Sequence, residues 1–305
     1  MKRPMQMAQC LAIIVAIFLA PRVSFAAPPT TRPASPWPKL TATEQAEAVE
    51  KLKAFADDAS TKLDRRLSLF ETQYFLFYTD LPQREAQNWA SLLDRMYMRL
   101  AELFAVKKGE NIWRGKGLIF VFAKASDYRN YERQVEKTDP IFSAGRCHAR
   151  HDGTVHIAFY KQDRELSFAH VLVHESVHGF IHRYRTAAIV PSWANEGLAD
   201  AIATELVPDP PTNPTRQQVA DALRKHNNEL GKFFRTPQIE PWQYPVAETL
   251  TQFMILQSKR NYVDFINGIK DGQDWETSLD KNYKAPLERL IPAYGAWVGV
   301  KGLSE

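Results

Sequence analysis

Between His174 and His178 the chain reads His-Glu-Ser-Val-His, and no other stretch limits its possible folds so tightly. Apolar spacing from Leu166 to about Tyr184 predicts a helix around it. Four residues turn a helix by about 400°, so both imidazoles leave one side of it a turn apart. Glu175 stands about 100° from His174, within reach of a water held by the same ion. Two metal ligands and a general base thus fit one turn. A catalytic zinc site wants a third protein ligand and an open position. The run Pro191-Ser192-Trp193-Ala194-Asn195-Glu196-Gly197-Leu198-Ala199-Asp200 offers Glu196, 18 positions after His178, in the first turn of a second expected helix, Glu196 to Leu206. That separation lets a helix-loop-helix fold back across one ion. Asp200, one turn beyond Glu196 on the same face, is placed to accept the free ring N–H of His174 and fix its tautomer.

Histidines also stand at 170 and 182, which makes a stripe of four at strict four-residue spacing. Each step drifts by about 40°, so all four cannot share one ion. Only His174 and His178 have the adjacent Glu and the downstream Glu-x-x-x-Asp; His170 and His182 are expected to orient ligands or pack.

The first 26 residues read as a secretory leader. Lys2 and Arg3 precede the apolar run Leu11–Ala20, and Ser24-Phe25-Ala26 places small residues at a cleavage site before Ala27. The run is short for a bilayer span, and no second long one follows, so export to a periplasmic or extracellular space is expected, without stable membrane insertion. Of the 39 basic residues, Lys2, Arg3 and Arg22 belong to this leader, which leaves 36 against 35 acidic ones. A mature charge so near zero gives no support to a nucleic-acid partner. Cys147 is then the one remaining cysteine, so no internal disulfide can form. His148 follows it, but neighbours in a strand point to opposite faces, and Cys147 reads as a partly buried, inert thiol.

The organisation expected for the rest is α+β. Residues 27–39, rich in Pro, Thr and Ser, read as an extended tether. Residues 40–165 form a mixed sheet-and-helix lobe: helical spacing from Thr43 to about Phe70, a strand Tyr74–Tyr78, and a long helix after Thr79-Asp80 and Pro82. A strand Leu118–Phe122, a short helix capped by Ser126-Asp127 and a strand Thr154–Tyr160 follow. Residues 166–305 read as the active-site helix and a helical lobe, with an irregular loop at Pro208–Pro214 and four or five helices from Gln217 to Val300. Strands with helices first and helices alone later give two lobes, with the motif at their junction.

His-Glu-Ser-Val-His followed by Trp-Ala-Asn-Glu-Gly-Leu-Ala-Asp resembles the gluzincin metallopeptidases, and most of all their bacterial peptidase MA-like branch. The close match spans Val171 to Ala201. Leu118–Tyr131 and Thr154–Phe159 resemble the strands before the active-site helix, and Tyr244–Trp297 resembles the helical lobe behind it. The resemblance implies a zincin-like fold, Zn2+ held by His174, His178 and Glu196, and peptide-bond hydrolysis by a zinc-activated water with Glu175 as general base. It implies a peptide or protein substrate and an oxyanion-stabilising Tyr or His, for which Tyr184, His226 and Tyr244 are candidates. The strand Thr154–Phe159 is the expected cleft edge, where an extended peptide would pair and meet His156 or its neighbours. Two other functions fit the same residues: a catalytically silent, zinc-stabilised binding or scaffold protein of the cell envelope, and a hydrolase of a non-peptide amide. A retained Glu175 argues against the first, since a structural site needs no base.

Overall fold

Five short strands, the inner three buried along nearly their whole length, set the frame. The computed structural model describes residues 35–139, 143–207 and 213–305; the expected leader and most of the tether and of the Pro208–Pro214 run lie outside them. The strands are β1 (Ser68–Glu71), β2 (Phe75–Thr79), β3 (Gly117–Phe122), β4 (Gly145–Ala149) and β5 (Val155–Tyr160). They form one sheet in the order β1-β2-β3-β5-β4, with β2, β3 and β5 parallel and the outer strands β1 and β4 antiparallel to their neighbours. Side chains alternate between the faces. Leu76, Tyr78, Leu118, Phe120, Phe122 and Ala158 meet α1 (Ala42–Lys62) and α3 (Ala125–Tyr131) on one face. Phe75, Phe77, Ile119, Val121, Val155, Ile157 and Phe159 point to the other, toward α2 (Gln83–Leu103) and α4 (Glu165–Arg183).

That second core runs on without a break through α5 (Ser192–Leu206), α6 (Arg216–Lys225), α7 (Tyr244–Gln257), α8 (Lys259–Lys270), α9 (Trp275–Tyr283) and α10 (Leu287–Val298). The architecture is therefore mixed α and β, with one five-stranded mixed sheet and ten α-helices among the described residues. No helix among them is long and apolar enough to cross a membrane.

Several local expectations change. The first helix stops at Lys62, because Asp64 enters the left-handed region (φ 49°) and Ser68–Glu71 pairs with β2. Leu63, Leu67 and Phe70 fit helical spacing, but partly buried positions beside a sheet satisfy the same pattern. Ser126 and Asp127 do not cap α3, whose N-cap is Lys124; Asp127 is buried instead and pairs with Arg65 at 3.0 Å. The helix α5 begins at Ser192, directly after Pro191, so Glu196 sits in its second turn. The expected cleft edge also moves. β5 lies inside the sheet between β3 and β4, and the outer strand is β4, which carries Cys147. His156 of β5 is buried against Phe55 and Glu136, on the face away from α4. Finally, the described end of the tether is docked: the Trp37 N–H donates to the Arg185 carbonyl at 2.8 Å, and its ring lies over the Arg183 guanidinium.

Two close approaches seat the helices that matter. A Cβ on Gly179 would come within 2.9 Å of Val155 Cγ1, so its absence lets α4 lie directly beneath β4 and β5. A Cβ on Gly197 would strike the Ala247 carbonyl, so α5 and α7 touch through backbone one residue after Glu196.

Candidate metal centre

The loop between α4 and α5 determines how the two helices face each other. Tyr184 ends α4 in extended geometry, and Arg185 turns the chain at φ 60°. This left-handed turn is held from outside, since Arg185 donates to both carboxylate oxygens of Asp271 at 2.7–3.0 Å. The Tyr184 hydroxyl donates to Asn267 Oδ1 at 2.8 Å, and the buried Lys270 ammonium donates to the Ala188 carbonyl at 2.8 Å. The loop is thus bolted to the end of α8, and α5 returns across α4.

Three side chains meet where the helices cross. His174 Nε2 and His178 Nε2 are 3.0 Å apart, and Glu196 Oε2 lies 3.2 Å from the first and 3.4 Å from the second. Ligand atoms at about 2.0–2.1 Å from a tetrahedral zinc ion would stand about 3.3 Å from one another. The observed triangle has that size, and it is the one three-ligand group among the described residues able to hold a metal. Asp200 stands where expected: its Oδ1 accepts from His174 Nδ1 at 2.7 Å, which leaves the Nε2 lone pair directed at the triangle. His178 Nδ1 and Asn195 Oδ1 are each buried without a hydrogen-bond partner among the described residues. Two imidazoles and one carboxylate oxygen form the donor set of a two-His, one-Glu zinc site, so the residues present fit the ion the motif implies.

Electrostatics in the metal-free chain bear on this. Burial pulls the His174 pKa down, but the Asp200 and Glu196 carboxylates outweigh it and the net direction is well up. His178 moves up as well, burial again being overcome by Glu196. Burial would raise Glu196, yet the two imidazoles hold its carboxyl far below the usual range. Protons and a metal therefore compete for the same ring nitrogens. A protonated Nε2 must lose its proton to bind metal, so zinc affinity should rise with pH until both rings are neutral, and binding below that point should release protons. Calorimetric titration with zinc in two buffers of different ionisation enthalpy reads that number; a value of zero would mean the rings are already neutral.

Glu175 does not join the triangle. It is half-buried, and the main-chain N–H of Cys147 on β4 lies near enough to its carboxylate to favour the charged form. Burial raises its pKa, with His178 and His174 opposing and Glu196 reinforcing, which moves it toward the range useful to a base at neutral pH. The Cys147 thiol is pushed well up by burial and then by Glu175, so it stays protonated and inert. His170 is buried, brought down to about 4 chiefly by desolvation, and its Nε2 lies 4.0 Å from Asp200. His182 is lowered to about 4 by the same cause and makes a 3.4 Å contact with the Arg150 carbonyl. Neither is a ligand.

Of the three oxyanion candidates, the structure brings one to the centre. Tyr184 is stacked in the core on Phe180 and Phe104, its hydroxyl committed to Asn267. His226 follows α6 and stacks on Trp242 with ring centroids 3.8 Å apart. Tyr244, at the start of α7, is buried close enough to Glu196, Asp200 and Glu175 that their charges add to burial in raising its pKa. Two groups near the centre carry no sequence signal: the Cys147 N–H and Glu248. Buried Glu248 of α7 is pushed up to about 8 by desolvation and then by the charge of Asp200, so at neutral pH it is a protonated neighbour of that carboxylate. Both depend on which elements pack together.

Compared with protein-family models and with curated proteins, the chain matches none.

Proposed function

We propose that this chain is an exported zinc metallopeptidase of gluzincin type, with a zincin-like arrangement of sheet, active-site helix and helical lobe. The observation that carries the reading is the division of labour on one helix. His174 and His178 converge with Glu196 on a point, while Glu175, between them in sequence, stays out of that triangle and is only partly exposed. A site serving stability alone needs no such residue.

Zinc, when bound, supplies a Lewis acid that polarises the scissile carbonyl and lowers the pKa of water. The chain's residues do the rest. Glu175 takes the proton of the attacking water and delivers it to the departing amine. Asp200 holds His174 in the tautomer that keeps Nε2 free. Tyr244 donates its hydroxyl hydrogen to the carbonyl oxygen as charge builds there. The outer edge of β4 borders Glu175, so an extended peptide or protein segment pairing along it would bring a backbone carbonyl to the centre. This role belongs to β4 where the sequence pointed to Thr154–Phe159.

The test is metal analysis of the purified chain together with digestion of a broad peptide library, wild type beside Glu175→Gln. Zinc near one equivalent with cleavage only by wild type supports the reading. Zinc without cleavage by either would favour the silent scaffold. Tyr244→Phe refines the mechanism: kcat should drop about 10²-fold with KM and zinc content near wild type, the loss expected for one oxyanion donor. An unchanged kcat would remove Tyr244 from it.

A further inference from the structure

Behind β4, on the face away from α4, lies a second buried polar cluster. It is built on a π-turn, Glu132–Glu136, whose two carboxylates are wholly buried (side chains 0% exposed). Such turns are rare and costly, and Lys137 closes this one at φ 57°. Glu132 faces His148 Nε2 at 2.9 Å and Arg146 Nη1 at 3.5 Å, and accepts the Thr138 hydroxyl at 2.5 Å. Glu136 accepts the Tyr131 hydroxyl at 2.8 Å and the Arg150 guanidinium, and faces His148 Nδ1 at 3.6 Å and His156 Nδ1 at 3.5 Å. One imidazole, His148, thereby bridges both carboxylates. The cluster is not among the groups able to gather three ligand atoms round a metal, and its carboxylate oxygens are already engaged. Burying so many charges gives little stability that apolar packing could not supply. What it adds is position.

The position it sets is that of β4. Arg146, His148 and Arg150 alternate with Gly145, Cys147 and Ala149, so the clamp grips one face while Cys147 packs over Gly179 of α4 on the other. The Tyr160 N–H donates to the Ala144 carbonyl at 3.2 Å and the Arg150 N–H to the Thr154 carbonyl at 2.9 Å. These bonds fix the parity of the antiparallel ladder: even-numbered residues bond β5, and the main-chain groups of Gly145, Cys147 and Ala149 point to the open edge. One of them, the Cys147 N–H, meets Glu175. The strand is held on three sides, and the fourth borders the metal centre.

We infer that Glu132 and Glu136 are positioning residues, which clamp Arg146, His148 and Arg150 so that the open edge of β4 stands at the right distance and register from Glu175 to hold an extended substrate. The inference rests on the peptidase reading above. Its test compares Glu136→Gln and Glu132→Gln with Asp127→Asn, which breaks a buried ion pair of α3 outside the clamp. For peptides long enough to cover β4, KM should rise about tenfold in the two Glu variants, with kcat and one zinc per chain retained. Asp127→Asn should lose thermal stability with KM unchanged. Amide exchange in β4, read without turnover, should quicken in the Glu variants alone. His148→Gln, which loosens the clamp from the strand side, repeats the test if a Glu variant does not fold. Unchanged KM with unchanged β4 exchange, or a KM rise shared by Asp127→Asn, would overturn the assignment. If wild type holds zinc and cleaves no peptide, the peptidase reading falls, and exchange alone judges the clamp: selective quickening upholds it, and equal exchange overturns it.

Discussion

Glu175→Gln is expected to retain one zinc per chain and to lower kcat on a cleaved peptide by about 10³-fold, within the range for loss of a general base. The amide keeps the size of the carboxylate and still presents an oxygen on the side of the Cys147 N–H, so the local packing has little reason to change. What disappears is the capacity to take a proton. The three ligand atoms belong to other residues, and metal content should not follow activity down. KM should stay near wild type, because Glu175 acts on the reacting water and the substrate is held elsewhere. Zinc analysis beside steady-state kinetics separates the outcomes. Hydrolysis at the wild-type rate would remove Glu175 from the mechanism, and loss of zinc would make it a ligand or a support for one.

The candidate metal centre is legible because helix geometry alone constrains it. Once His174, Glu175 and His178 share a turn, their relative directions follow from the helical repeat, whatever surrounds them. Glu196 and Asp200 could be read for the same reason, one turn apart on a second helix. The error there was small: Pro191 opens α5 early, so Glu196 falls in the second turn without changing its face. The sheet was a different matter. Strands were found where apolar runs are short and dense, as at Leu118–Phe122, but their order in the sheet is set by crossovers that leave no local mark. The sequence therefore makes Thr154–Phe159 the expected edge, whereas β4, with polar side chains on one face and an irregular apolar pattern, is the outer strand on that side. Leu63, Leu67 and Phe70 show the converse, where a period of three and four survives outside any helix. Among the oxyanion candidates, residue type could not choose: Tyr184 and Tyr244 are both buried tyrosines, and only the crossing of α5 and α7 at Gly197 brings one of them to the carboxylates.

Glu196→Ala should abolish stoichiometric zinc binding, with affinity lowered by well over about a hundredfold, the upper range for losing a mere supporting residue. Two imidazoles 3.0 Å apart still face one point, but they lose the anionic oxygen that neutralises half the ion's charge. The same change removes a charge that raises the pKa of His174 and His178, so part of the competition from protons is relieved. The net loss is therefore smaller than the bond count suggests, and it should be greatest at high pH, where the wild-type rings are already free of protons. Stability follows through linkage. At free zinc a thousand times its dissociation constant, wild type gains about 4 kcal/mol, which is about 10 °C in Tm for a domain near this size. Glu196→Ala should gain less than about 1.4 kcal/mol from the same zinc, a rise of only a few degrees at most, whereas wild type should drop to its lower value on adding a chelator. Glu196→Gln gives the sharper comparison, since it fills the same space and can still bond the rings without supplying an anionic ligand. If it binds zinc as wild type does, or if Glu196→Ala keeps its zinc-dependent rise in Tm, the third ligand lies elsewhere. Asp200→Ala should lie between these cases, losing about 10–100-fold in affinity because it orients His174 without touching the ion.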